Sequence, residues 1–154
     1  MKNLSESSIS PLQVAISQIG QSEHPKGSNW GHPVQDYLAS VGIMAPAAWC
    51  AAFVYWCFHQ VTKSTGKPNP LFKTGSVMTQ WNQRKQFAVK DPLPGDIFIM
   101  RFPGGLGHTG LVLQVEGTNI KTVEGNSNSD HSREGWEVVT NTRPISSIFG
   151  FIRI

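Results

Sequence analysis

The sequence predicts an α+β domain, with N-terminal helices packed on one face of a C-terminal antiparallel sheet of about five strands. Three observations carry this. Before Pro94, apolar residues recur at helical spacing; after it, short runs rich in Val, Ile, Thr and Phe are separated by Gly, Asn and Asp. The later runs also follow one another too closely to leave room for the crossover helices that parallel pairing needs.

The elements follow in order. Residues 1–10 read as a Ser-rich, flexible lead, and residues 11–154 as a single domain. From Pro11, the positions Leu12, Ala15, Ile16 and Ile19 lie on one helical face, with Gly20 as a stop. "HPKGSNWGHP" (24–33) is a loop by its Gly, Pro, Ser and Asn content. Val34, Tyr37, Leu38 and Val41 form a second helical stripe ended by Gly42. A third helix starts near Trp49 and runs to about Thr62, followed by the loop "KSTGKPNP" and a short helix from Val77 to Gln83. The strand candidates are "GDIFIMRF", "HTGLVLQVEG", "NIKTVEGN", "GWEVVTN" and "IFGFIRI".

Composition bounds the function. The chain has 154 residues, 39% apolar and 15% charged, enough for a packed core in one domain. A net charge of +3 and a pI near 9.0 are compatible with an anionic polymer such as cell wall or nucleic acid. Lys and Arg are scattered without a basic run, so a nucleic-acid module is not expected. The first residues lack the charged start and long apolar stretch of a secretory signal, and nothing is long enough to insert in a membrane. The expectation is synthesis in the cytoplasm without a signal peptide. Any work outside the cytoplasm would then need another route of export.

Both cysteines lie in "WCAAFVYWC". Seven residues along a helix separate Cys50 from Cys57 by about 10 Å. A disulfide needs Cα atoms within about 7 Å, and one zinc ion held by both thiolates needs Zn–S bonds of about 2.3 Å. The two are therefore independent. Cys57, inside "VYWCFH", reads as a small buried hydrophobe. Cys50 opens the helix, where unpaired N–H groups and the dipole favour a thiolate and face a developing oxyanion. It reads as either a nucleophile or a core residue.

A thiol nucleophile needs a base and a group to orient it. His24, His32 and His131 sit in polar loops, and His59 falls on the far side of the helix from Cys50. His108 follows "PGGLG" and begins a strand, held rigidly but open to a groove, although an exposed strand-end histidine would look the same. On the next strand Glu124 and Asn126 are two apart, so in an extended chain they share a face that can lie beside His108. Either could fix the imidazole tautomer, and either could equally be a turn residue.

Together "AAWCAAFVYW", "PLPGDIFIM", "GLGHTGLVLQV" and "IKTVEGNSN" resemble the CHAP domain, a family of cysteine- and histidine-dependent amidohydrolases and peptidases of the papain-like cell-wall hydrolase clan. The resemblance spans about residues 12–154. It implies a papain-like fold, Cys50 as nucleophile, His108 as base and Glu124 as orienting acid, with Asn126 at a polar position often counted with the site. It also implies peptidoglycan as substrate and cleavage of an amide bond in the wall peptide, as an N-acetylmuramoyl-L-alanine amidase or an endopeptidase. No cofactor or metal is expected. A phage lysin or a secreted antibacterial effector would suit such a chain, acting in the periplasm or wall. An effector would bring an immunity protein or delivery machinery as partner. Trp49, Trp30, Asn29 and Phe102 are the candidate substrate-binding residues, because aromatic faces suit sugars and loops carry binding groups; the other reading has Trp49 and Trp30 packing the loop against the core. The alternative is a non-catalytic wall- or protein-binding module on the same fold.

Overall fold

The computed structural model describes residues 9–127 and 135–154. Four helices precede most of the sheet: α1 (Pro11–Ser17), α2 (Val34–Ser40), α3 (Cys50–Thr65) and α4 (Val77–Arg84). The strands are β1 (Ala88–Val89), β2 (Ile97–Phe102), β3 (Leu106–Glu116), β4 (Asn119–Ser127), β5 (Glu137–Pro144) and β6 (Gly150–Ile152). They form one antiparallel sheet in the order β1-β6-β2-β3-β4-β5. The α+β class and the run of helices before strands agree with the sequence reading. The sheet has six strands rather than about five, because two residues, Ala88 and Val89, pair with Ile152 and Phe151.

Local chemistry explains the helix ends. Ser10, expected within the flexible lead, caps α1: its hydroxyl accepts from the Gln13 backbone N–H, and the Gln13 side chain accepts from the Ser10 N–H. Ser76 caps α4 in the simpler way. α3 ends at Gly66, whose φ of 73° few other residues tolerate. Its start carries no side-chain cap.

Strand alternation divides the interior into two parts. Ile97, Ile99, Leu111, Val123, Val138 and Ile152 join the residues of α1, α2 and α3 in the main core. Their strand neighbours Phe98, Met100, Val112, Ile120 and Phe151 form a second, smaller cluster. Residues adjacent along a strand point to opposite faces, so the helices cover one face and the second cluster lies on the other. α3 sits directly on β4 at Gly125. A Cβ there would come within 2.6 Å of Trp49 and 3.0 Å of Phe53.

Candidate active site

Cys50 is the first residue of α3 and is 7% exposed. His108 lies on β3 directly opposite Met100 of β2, so both project to the sheet face of the second cluster. The imidazole sits 6.0 Å from the Phe98 ring. Glu124 of β4 follows Ile120 by two steps of two, which puts it on the same face. Gly110 makes room for it: a Cβ there would meet Phe98 at 2.8 Å and the Glu124 Cβ at 2.9 Å.

His108 Nε2 is hydrogen-bonded to Glu124 Oε1 at 2.9 Å. Both side chains are almost wholly buried. His108 Nδ1 is buried without a hydrogen-bond partner. Since Glu124 occupies Nε2, Nδ1 is the nitrogen left for Cys50. Burial opposes charge on His108, yet the approach of Cys50 and the hydrogen bond and charge of Glu124 prevail and push its pKa up to about 9. For Glu124, burial alone would raise the pKa. The Arg143 guanidinium and His108 outweigh burial and hold the carboxyl well below the usual carboxylate range. Cys57 is fully buried within the main core, and burial raises its thiol well above the ordinary value.

The sequence brought Cys50, His108 and Glu124 forward, and the fold places them together. Asn126 departs from expectation. The pairing of β4 with β5 shifts between Glu124 and Ser127, and Asn126 has a left-handed backbone with φ of 54°. Strict alternation therefore stops before Asn126. It is the Ser127 hydroxyl that donates to Glu124 Oε1, at 2.9 Å. Asn126 is 5% exposed, with its Oδ1 buried and unpartnered.

Trp49 requires a correction. Expected to line the groove, it is completely buried. Its Nε1 donates to Glu23 Oε1 at 2.9 Å, and its ring stacks on Tyr37 at 5.5 Å. It anchors the start of α3 and has no surface left for substrate. Trp30 is half-buried against the main core, and its carbonyl accepts from the His24 N–H. Asn29 beside it is half-buried with φ of 54°. Phe102 is half-buried against the second cluster. His24 and His32 are exposed, His59 stacks on Tyr55, and His131 lies outside the described residues.

Four residues of the site escaped sequence reasoning: Thr122, Ser127, Asn141 and Arg143 all donate to the Glu124 carboxylate. A signal existed in "TNTRP", where Asn141 and Arg143 alternate with exposed Thr140, Thr142 and Pro144. Glu23 was also missed. Its Oε2 is buried and has no partner. Among the described residues no three His, Cys, Asp or Glu side chains are grouped to hold a metal ion, and no helix is long and apolar enough to cross a membrane.

Comparison with known proteins adds two findings. The family model described as "CHAP domain" matches residues 42–126, more than half of the chain. No curated protein matches. Among solved structures, the one titled "The crystal structure of Ly7917" is similar over 92% of this chain and 59% of that one, with a TM-score of 0.51 and 16% identity. At that identity the likeness speaks for the fold, and the chain spans less than two thirds of that protein.

Proposed function

Because this chain belongs to the CHAP domain family of amidase- and peptidase-type cell-wall hydrolases, we propose that it cleaves an amide bond of the peptidoglycan peptide through Cys50, His108 and Glu124. The observation that carries this reading is the buried His108. Glu124 holds one of its nitrogens, and the other is unpartnered and turned over to Cys50 at the tip of α3.

The chemistry follows from that arrangement. The proton of the Cys50 thiol passes to His108 Nδ1, forming the imidazolium that the raised pKa of His108 favours, and the sulfur attacks the scissile carbonyl carbon. The tetrahedral oxyanion is met by the N–H groups of the uncapped first turn of α3. The imidazolium then protonates the leaving amine as the C–N bond breaks, leaving a thioester on Cys50. Water, giving its proton to Nδ1, attacks that thioester and releases the acid, and the thiol is restored. Throughout, Glu124 keeps the Nε2 proton in place and stabilises the imidazolium. Asn126 contributes a buried polar group beside this machinery, and Trp30, Asn29 and Phe102 contribute the partly open surface for the wall peptide. The protein acts on the wall or in the periplasm, as an amidase or endopeptidase of a lysin or an antibacterial effector.

The test is release of soluble fragments and new amino groups from purified peptidoglycan, with mass spectrometry to identify the bond. Wild type should release them. Cys50→Ala should release none while keeping its melting temperature within a few degrees, and full turnover by that variant would overturn the reading.

A further inference from the structure

Glu124 is the most heavily hydrogen-bonded side chain of the described residues. Its Oε2 accepts from the Thr122 hydroxyl at 2.7 Å and from Arg143 Nε at 2.8 Å. Its Oε1 accepts from Asn141 Nδ2 at 2.8 Å and from the Ser127 hydroxyl at 2.9 Å. Arg143 Nη2 also reaches Oε1, so the guanidinium forks onto both oxygens. His108 Nε2 is the remaining partner.

A carboxylate offers about four lone-pair sites, and only when ionised is it purely an acceptor. Surrounded by donors, Glu124 has no direction in which to place a proton. His108 must therefore meet it with an N–H at Nε2, so that Nδ1 is the nitrogen that gains and loses the proton. Arg143 is the charged member of this surround. It is 7% exposed, and its guanidinium lies 5.9 Å from the same Phe98 ring that His108 touches. Cation and imidazole thus share one apolar floor, with the carboxylate between them.

We propose that Arg143 is a positioning residue of this site: by forking onto both oxygens of Glu124 it keeps that carboxylate aimed at His108 Nε2, and so sets Nδ1 as the nitrogen presented to Cys50. The inference deepens the proposed function and rests on Cys50 being the thiol that His108 serves. It goes further in giving Arg143, Thr122, Asn141 and Ser127 a task that the nucleophile, base and acid do not perform.

The pH dependence follows from what faces Glu124. Among the described residues, the charged or titratable groups are His108 from β3 and Arg143 from β5, with Cys50 of α3 beyond His108. Phe98 of β2 contributes only its ring, and β4 and β5 add the neutral Thr122, Ser127 and Asn141. Without Arg143 the balance at Glu124 tips toward burial, which favours the protonated acid. A protonated Glu124 would no longer balance an imidazolium, and it could donate to Nε2 and reverse the tautomer.

The experiment reads Cys50 directly and needs no substrate. The rate of Cys50 alkylation by iodoacetamide is measured against pH in the whole protein, with the labelled peptide identified by mass spectrometry. In Arg143→Met the acid side of the profile should move up by about one pH unit or more, with reactivity recovered at higher pH. Arg143→Lys, which keeps a cation but loses the fork, should move it less. Thr122→Val, which removes one neutral donor, should move it in the same direction by less than Arg143→Met. A profile coincident with wild type in a folded Arg143→Met protein would overturn the proposal. Should that variant not fold, coincident profiles in Arg143→Lys and Thr122→Val would overturn it. A wild type that cleaves no wall material would defeat the hydrolase reading while leaving these shifts to be judged by themselves.

Discussion

On the helix side of the sheet, Ile97, Ile99, Leu111 and Val123 meet Phe53, Trp49 and Cys57 of the helical layer. On the other side these strands and β5 present His108, Thr122, Glu124, Asn141 and Arg143, with Phe98 and Met100 beneath them. Both sides are buried. The first is held by area and shape, the second by hydrogen bonds and charge balance. The two-residue period of a strand lets one short segment serve both: Val123 packs in the main core while Glu124, its neighbour, is hydrogen-bonded to His108. The lesson is that variants of adjacent residues should fail in different ways. Helix-side changes should lower stability at every pH, and changes on the polar side should alter how stability and reactivity depend on pH.

The largest effect is expected for Phe53→Ala. Phe53 is fully buried, edge-on to Tyr37 at 5.0 Å and to Trp49 at 6.4 Å. Truncation should cost about 3–5 kcal/mol in urea unfolding, with little change across pH 6–9. A strong pH dependence of that loss would show that the helix side is held by more than area and shape.

Next comes the pH dependence of the wild type. The folded pKa of His108 lies above its ordinary value of 6.5, at about 9. A raised pKa means that the stabilisation is fully present below 6.5 and is lost as pH rises through 9. The loss should be on the order of 3 kcal/mol, seen as a falling unfolding free energy between those limits. His108→Ala should flatten the slope. Glu124 has the opposite sign. Its depressed pKa stabilises the fold above the ordinary carboxylate range, and that stabilisation disappears only in strong acid.

Gly125→Ala should cost roughly 1–3 kcal/mol, because the added methyl presses on Trp49 and Phe53 and must lift α3 from β4. Since this shifts the start of α3, wall hydrolysis should fall with stability, a coupling that sharpens where the two sides meet. The smallest effect belongs to Cys57→Ala, about 1 kcal/mol in thermal or urea unfolding. Cys50 alkylation should be unchanged in that variant. A loss of Cys50 reactivity would show that the two thiols of α3 are linked after all.

Much of this contrast could be read from residues alone. Cys50 opening an amphipathic helix, His108 after a glycine run and Glu124 on the following strand are local signals, each visible within a few residues. The helical layer and most strands are local in the same sense. What stayed hidden is cross-strand. Arg143 reaches Glu124 from 19 residues away, through the pairing of β4 with β5. Strand register is set by the whole sheet, so no window of sequence contains it. β1 was missed because two residues show no period. Asn126 was misplaced because a bulge interrupts the alternation on which the reading relied. The burial of Trp49 stayed undecided because an aromatic beside Cys50 looks the same in sequence whether it faces substrate or core. Its partner Glu23 lies 26 residues earlier.

That buried indole has a practical consequence. Of the five tryptophans, Trp30, Trp56, Trp81 and Trp136 are each partly open to solvent, whereas Trp49 is sealed and adjoins Cys50. The blue edge of the intrinsic fluorescence therefore belongs chiefly to this one chromophore. Light emitted there is a label-free signal from the residue beside the thiol, and its red shift during titration or heating would time the release of that corner relative to the rest of the molecule.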